Sequence, residues 1–190
     1  AFAPVSAMTR SLPHDITNAL AAAALVLESG LAAPAHVAAA LATFRHPPHR
    51  IEPVGEFGGV RWFNDSKATT PHAALTAIRG FGRIVLLAGG RNKGLDLASL
   101  ASERERVVAV IGLGEAGPEV AAAFEGVCPT YLADSMEAAV HRAAEVARPG
   151  DVVLLSPACA SFDWYSEGGY PARGADFMRL VREHVAKGAA

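Results

Sequence analysis

Four short stretches gather the residue types that bind charged ligands. NDSKATTP (64–71) ends an apolar run with an acid, a lysine and two threonines. Thr69 or Thr70 can cap a helix whose first position is Pro71, where a missing N–H costs nothing and φ is already helical. The first amides of such a helix stand beside Lys67, which suits an anion. Lys67 does not balance the helix dipole, because a cation is favoured at the other end. The plainer reading is that Asp65 and Thr70 only build a good turn, and residue chemistry alone leaves both open.

AGGRNKGLD (88–96) combines glycines that let backbone approach a ligand with the charges of Arg91 and Lys93. It lacks the GxxxxGK[ST] order of a nucleotide P-loop, which occurs nowhere in the chain. LSPACASFD (155–163) sets Ser156, Ser161 and Asp163 among small residues, without the GxSxG elbow of a serine hydrolase. In VIGLGEAGPEV (110–120), Gly112, Gly114 and Gly117 have dinucleotide-binding GxGxxG spacing, with Asp134 placed for a ribose. Against that stand Glu115 in the tight turn and Pro118 in place of a helix amide. Glycines here also permit a helix to pack closely on a strand. A free-standing dinucleotide-binding module is the alternative function these residues leave open.

The elements that must position these stretches follow from periodicity. Two alanine-rich helices are expected over 15–29, with Asp15 as a possible N-cap, and 34–44; RHPPHR (45–50) then breaks the pattern. A domain boundary is placed there, giving 1–47 and 48–190. Residues 50–56 and 60–63 read as a hairpin around Gly58-Gly59, followed by buried strands at 84–88, 107–112, 130–133 and 152–156. Helical patterns fill the intervals at 71–78, 97–104, 119–124, 135–146 and 174–185. β-Branched runs alternating with amphipathic helices predict an α/β domain. Its expected form is a Rossmann-like, doubly wound, mostly parallel sheet with one antiparallel strand, preceded by a helical hairpin. Ligands of such sheets bind beyond the carboxyl ends of the strands, where all four stretches fall.

Composition excludes other classes. A formal charge of -2 and dispersed Lys and Arg argue against a general nucleic-acid binder. The longest apolar run, 19–27, is well short of the roughly 20 residues a membrane span requires. No secretion signal is visible, and Cys128 and Cys159 lack metal-ligand spacing, which suits a reducing cytosol. His14, His36, His46, His49, His72, His141 and His184 show no ligand spacing, so no metal site is expected. The chain opens on Ala almost directly into a helix, as expected of a fragment.

FNDSKATTPHAA, LLAGGRNKG and LLSPACASFD, in that order, resemble the C-terminal domain of the D-glutamate-adding Mur ligases (UDP-N-acetylmuramoyl-L-alanine:D-glutamate ligases). The resemblance runs from about Leu12 to Val185, and sister ligases for other amino acids carry different forms of NDSKAT and SPACASFD. A relative adding another amino acid, or glutamates to folate, is a further alternative, against which SPACASFD argues. It implies a three-domain, ATP- and Mg2+-dependent, cytoplasmic, monomeric enzyme. That enzyme phosphorylates the carboxylate of UDP-N-acetylmuramoyl-L-alanine and lets the D-glutamate amine attack the acyl phosphate. The first domain and the P-loop are missing here, so the chain is expected to be inactive alone and to bind no cofactor tightly. Residues 1–47 would be the last helices of the central ATPase domain.

Carried over position by position, the resemblance implies that Lys67, with a catalytic role, and Thr69 meet phosphate and incoming D-glutamate. Asp65, Arg50 and Asn18 match adenine-nucleotide contacts, and Asp15 stands where the family has a second asparagine. Lys93 and Ser161 match the pair holding the D-glutamate side-chain carboxylate, with Phe162 contributing backbone and Tyr170 matching a second aromatic. A fixed cation beside a hydroxyl donor is what an acidic side chain needs.

Overall fold

The computed structural model describes residues 3–185. The chain divides into two compact units, one ending at Pro47 and the next beginning at Pro48.

The first unit holds α1 (Pro13–Glu28) and α2 (Pro34–Thr43). Each begins on a proline, which fits the first turn of a helix because its amide has no intrahelical partner anyway. Helix α1 starts two residues before the expected N-cap. Asp15 instead sits inside the first turn and reaches back, its carboxylate accepting the Leu12 N–H at 3.1 Å. Leu20, Leu25, Leu31 and Phe44 leave large apolar surfaces exposed on this unit.

The second unit is a six-stranded sheet in the order β1-β2-β6-β3-β4-β5. Its strands are β1 (Glu52–Phe57), β2 (Val60–Asn64), β3 (Ile84–Gly89), β4 (Val107–Leu113), β5 (Thr130–Ala133) and β6 (Val152–Ala158). Strand β1 pairs antiparallel with β2, and every other pairing is parallel. Pro53 is tolerated in β1 because that strand lies at the edge, where a missing donor disrupts no inner ladder.

Helices α3 (Pro71–Ile78) and α4 (Gly117–Ala123) pack with the 3-10 segment Leu97–Arg106 on one side. Helices α5 (Met136–Val146) and α6 (Gly169–Leu180) pack together on the other. Every residue of β3 and β6 is buried, which is why those strands read as unbroken apolar runs rather than alternating ones. Val85, Leu87, Ile111, Val153 and Leu155 on one face meet Val140, Ala143, Phe177 and Leu180 of α5 and α6.

Two segments depart from the pattern expected of the sequence. Leu97–Arg106 forms a 3-10 helix kinked at Glu103, not an α-helix, with Asp96 accepting the Ala98 N–H at 3.0 Å. The last helix begins at Gly169 instead of Gly174, so Tyr170 and Pro171 lie in its first turn. Pro171 is accommodated there because a proline in the first turn removes no helical hydrogen bond.

Candidate functional site

Strands β2, β6, β3 and β4 run parallel and end at the same edge of the sheet, so the loops that follow them share one rim. The loop after β2 is fastened to the loop after β6. The Asp65 N–H donates to the Leu155 carbonyl at 2.7 Å, the Ser156 hydroxyl donates to the Asp65 carboxylate at 2.8 Å, and the Ala158 N–H donates to the Ala68 carbonyl at 2.9 Å. The other Asp65 oxygen accepts the Ile51 N–H at 3.2 Å, tying in the start of the hairpin. Asp65 is 5% exposed, so its main visible work is to join three segments. Arg50 is exposed between His49 and Ile51, whose φ of 61° and 48° put both in the left-handed region that costs non-glycine residues energy. Such strain persists only where surrounding bonds over-determine it, here through Asp65 and through the His49 carbonyl, which accepts the Lys67 N–H at 3.1 Å.

Thr70, not Thr69, caps α3, accepting the Ala73 N–H at 3.4 Å. Thr69 stays part-exposed in the turn before it. The Lys67 ammonium lies 5.5 Å from the centre of the Tyr170 ring, a cation–π distance, so the early start of α6 brings the aromatic to the lysine.

The loop after β3 is stitched to the same β6 loop from the other side. Gly89 pairs with Ala158, and Arg91 and Ala160 exchange backbone hydrogen bonds at 2.8 and 3.1 Å. Arg91 is engaged by Glu115 at 2.6 Å, and that hydrogen bond holds the Glu115 carboxyl below its ordinary range. Asn92 folds the turn, accepting the Leu95 N–H at 3.0 Å and donating to the Leu95 carbonyl at 2.9 Å. Lys93 is exposed at its tip, with no ion-pair partner among the described residues.

Ser161 is 2% exposed and its carbonyl accepts the Tyr165 N–H at 2.8 Å, whereas the adjacent Phe162 is 48% exposed. Burial pushes the neighbouring Cys159 thiol up to about 11, so it stays protonated at neutral pH and is no nucleophile. Lys67, Lys93 and Ser161 thus belong to loops of adjacent strands β2, β3 and β6 on one rim. A surface hollow lined by Gly82 and residues 101–106 lies at the opposite edge, where β3 and β4 begin.

The glycine-rich turn after β4 is closed from within. A Cβ at Gly114, whose φ is 57°, would collide with the Asp163 carboxylate. That carboxylate accepts the Glu115 N–H at 3.1 Å, filling the place an anionic ligand would take. Gly112 and Gly117 face each other so closely that a Cβ on either would meet the other's backbone, which is the packing reading of the motif. Asp134 accepts the Ser135 hydroxyl at 3.2 Å at the exposed end of β5.

In the first unit, Asn18 is exposed on α1. Asp15 is 6% exposed and grips Arg10 through two bonds of 2.7 and 2.8 Å. Burial pushes its carboxyl up, but the Arg10 hydrogen bond and charge, aided by His14 and the Leu12 N–H, outweigh this and hold it below the ordinary value. A helix-start ion pair therefore uses this carboxylate.

Two features escaped the sequence. Glu137, His141 and His184 bring their ligand atoms within 4.8 Å of one another, a proximity that chain spacing cannot reveal across 43 residues. All three are exposed, and Glu137 and His184 approach each other to 3.4 Å. Arg173, fully buried beneath the rim, carries no signal in the sequence, where it lies just before the helix expected from 174 and reads as a solvated loop residue.

A family model described as "Mur ligase, glutamate ligase domain" matches residues 49–159. UDP-N-acetylmuramoylalanine–D-glutamate ligase of Frankia casuarinae is 45% identical over 174 residues, covering 90% of this chain and 36% of that protein. The ligase of the same name from Nitrosococcus oceani is 43% identical, covering 90% of this chain and 38% of its own length. The chain thus spans little more than a third of these relatives. Among solved structures, UDP-N-acetylmuramate–alanine ligase of Thermotoga maritima superposes with a TM-score of 0.65 at 16% identity, over 92% of this chain and 39% of that one. E. coli FolC, solved with DHPP and ADP, gives 0.58 at 24% identity, over 87% and 39%. At such identities these two structures speak to the fold alone.

Proposed function

The chain belongs to the Mur ligases, through their glutamate ligase domain, and from that premise we propose that it is the C-terminal part of an ATP-dependent enzyme joining D-glutamate to UDP-N-acetylmuramoyl-L-alanine. The observation that carries the proposal is the cross-linked rim: the loops after β2 and β3 are both bonded to the loop after β6. That arrangement brings loops bearing Lys67, Lys93 and Ser161 to one edge, where an acidic amino acid and a nucleotide phosphate can be held together.

In the proposed reaction ATP transfers its γ-phosphoryl group to the substrate carboxylate, giving an acyl phosphate and ADP. The D-glutamate amine attacks the acyl carbon, the tetrahedral intermediate expels phosphate, and the amine loses a proton. Lys67 supplies positive charge where phosphoryl oxygens gather, and Thr69 lines the path of the amino acid. Lys93, Ser161 and the Phe162 backbone hold the side-chain carboxylate, with Tyr170 backing Lys67. Holding both partners in place accounts for much of the rate in such a reaction, since an intermolecular attack becomes effectively intramolecular. Arg50 and Asp65 serve the adenine nucleotide within the second unit. In the first unit Asn18, exposed on α1, is a separate candidate contact, and the Asp15 carboxylate is engaged by Arg10.

The rim is a poor Mg2+ cage. Its outward groups at 67 and 93 are cationic, and the Asp65 carboxylate is bonded to Ile51 and Ser156. Metal ligation and the P-loop are assigned to the region of the relatives that this chain does not span, with residues 1–47 as the last helices of the ATPase domain. The chain alone is then inactive and binds no cofactor tightly. The complete enzyme works as a cytoplasmic monomer, where its nucleotide substrates are made. Among the described residues no helix is long and apolar enough to cross a membrane.

The test is ADP release by the complete enzyme with UDP-N-acetylmuramoyl-L-alanine, ATP and a panel of amino acids. D-Glutamate alone should support turnover, the 190-residue chain should give none, and Lys93→Ala should raise the D-glutamate KM by about tenfold or more. Turnover that depends on another amino acid, or that the isolated chain sustains, would overturn the assignment.

A further inference from the structure

Arg173 is 2% exposed, and four hydrogen bonds surround its guanidinium. Nε donates to the Ser66 hydroxyl at 2.9 Å, Nη2 to the carbonyls of Ser66 and Cys159 at 2.9 and 3.1 Å, and Nη1 to the Ala160 carbonyl at 3.3 Å. The Ser66 hydroxyl in turn donates to the Tyr170 carbonyl at 2.8 Å. No carboxylate lies within ion-pair distance of this cation among the described residues, although Asp163 is near enough to act on its charge. Burying a cation against neutral dipoles is costly for stability, so its presence calls for another explanation.

The acceptors supply one. The Ser66 carbonyl shares a peptide plane with the Lys67 N–H, and the Ala160 carbonyl shares one with the Ser161 N–H. The Ala160 carbonyl also accepts the Arg91 N–H at 2.8 Å, so the same atom ties in the loop that carries Lys93. Resting on the ligase reading above, we infer that Arg173 is a positioning residue that sets the three rim loops in mutual register and thereby shapes the D-glutamate pocket. The planar fork of arginine suits this role, because it reaches divergent acceptors at fixed angles. A lysine would supply the charge but not the geometry.

The experiment pairs Arg173→Lys with Ser66→Ala in the complete enzyme, with circular dichroism melts to check folding. Arg173→Lys should raise the D-glutamate KM by about tenfold while the KM for UDP-N-acetylmuramoyl-L-alanine, held elsewhere, changes by less than about twofold. Ser66→Ala should move the D-glutamate KM in the same direction by about threefold, and the double variant should be no worse than Arg173→Lys alone. A folded Arg173→Lys enzyme with an unchanged D-glutamate KM, or one impaired equally toward all substrates, would overturn the inference. If Arg173→Lys does not fold, an unchanged KM in Ser66→Ala overturns it by itself. Hydrogen exchange on the 190-residue chain separates this from failure of the ligase assignment. Arg173→Lys should speed exchange at the Lys67 and Arg91 amides but not at Val110 in the sheet, whatever the amino-acid substrate proves to be.

Discussion

NDSKATTP and GLGEAGP both leave a parallel strand at the same edge of one sheet, and both enter a helix through a proline. Only the second has the spacing associated with phosphate binding, yet it is the one that is closed. Its turn presents Glu115 outward and is plugged by the Asp163 carboxylate. The first, without a glycine, ends in a helix cap and a lysine resting on an aromatic ring. An anion site therefore requires an unfilled set of donors, and spacing along the chain does not report whether the molecule already fills them.

The largest effect that sharpens this contrast is at Lys67. Lys67→Ala in the complete enzyme should lower kcat by about 100-fold, comparable to removing one transition-state stabilising group, as read from ADP release. A loss below tenfold would remove the lysine from the reacting centre. Gly114→Val comes next. The left-handed φ alone should cost about 1–2 kcal/mol for a residue with a side chain, and the collision with Asp163 adds to it. The urea midpoint of the chain should fall, and neither protein should bind NADH in a fluorescence titration. Saturable NADH binding to the natural chain that Gly114→Val abolishes would reverse the comparison and restore the dinucleotide reading.

Asp163→Ala should cost about 1 kcal/mol, through loss of the acceptor for the Glu115 N–H, and should leave the chain without NADH affinity because Glu115 still repels phosphate. A new NADH site in this variant would mean that Asp163 alone had masked a working turn. The smallest effect is expected at Thr70→Ala. The cap bond is long at 3.4 Å, so the loss should be about 0.5 kcal/mol, visible as a small drop in Tm. A loss of several kcal/mol would show that the α3 entrance is held by more than its cap.

The register of periodic elements was legible because it is a local property. The apolar run TYLA is β5 residue for residue, and Pro71–Ile78 is α3 from its proline to its last apolar position. Misreadings fall where a local signal was overruled by packing. The last helix, expected from Gly174, begins at Gly169, and Asp15, a possible N-cap in the sequence, reaches back from inside α1 to grip Arg10. For the candidate site, the three strings marked loops that the structure brings to one rim of the sheet. Arg173 and the Glu137–His141–His184 grouping stayed hidden, since each depends on residues brought together from far along the chain.

By itself the sequence determined the alternation of strand and helix and the loops in which charge and small residues gather, because hydrophobic period, caps and turn chemistry act over a few residues. Only the tertiary structure decided that the loops after β2 and β3 are both sewn to the one after β6, that Asp163 stoppers the glycine turn, and that a buried guanidinium joins the walls. Those contacts span from 13 to 107 positions. Their partners are set by strand order and by the requirement that every buried polar group find a complement, and no stretch of the chain expresses either alone.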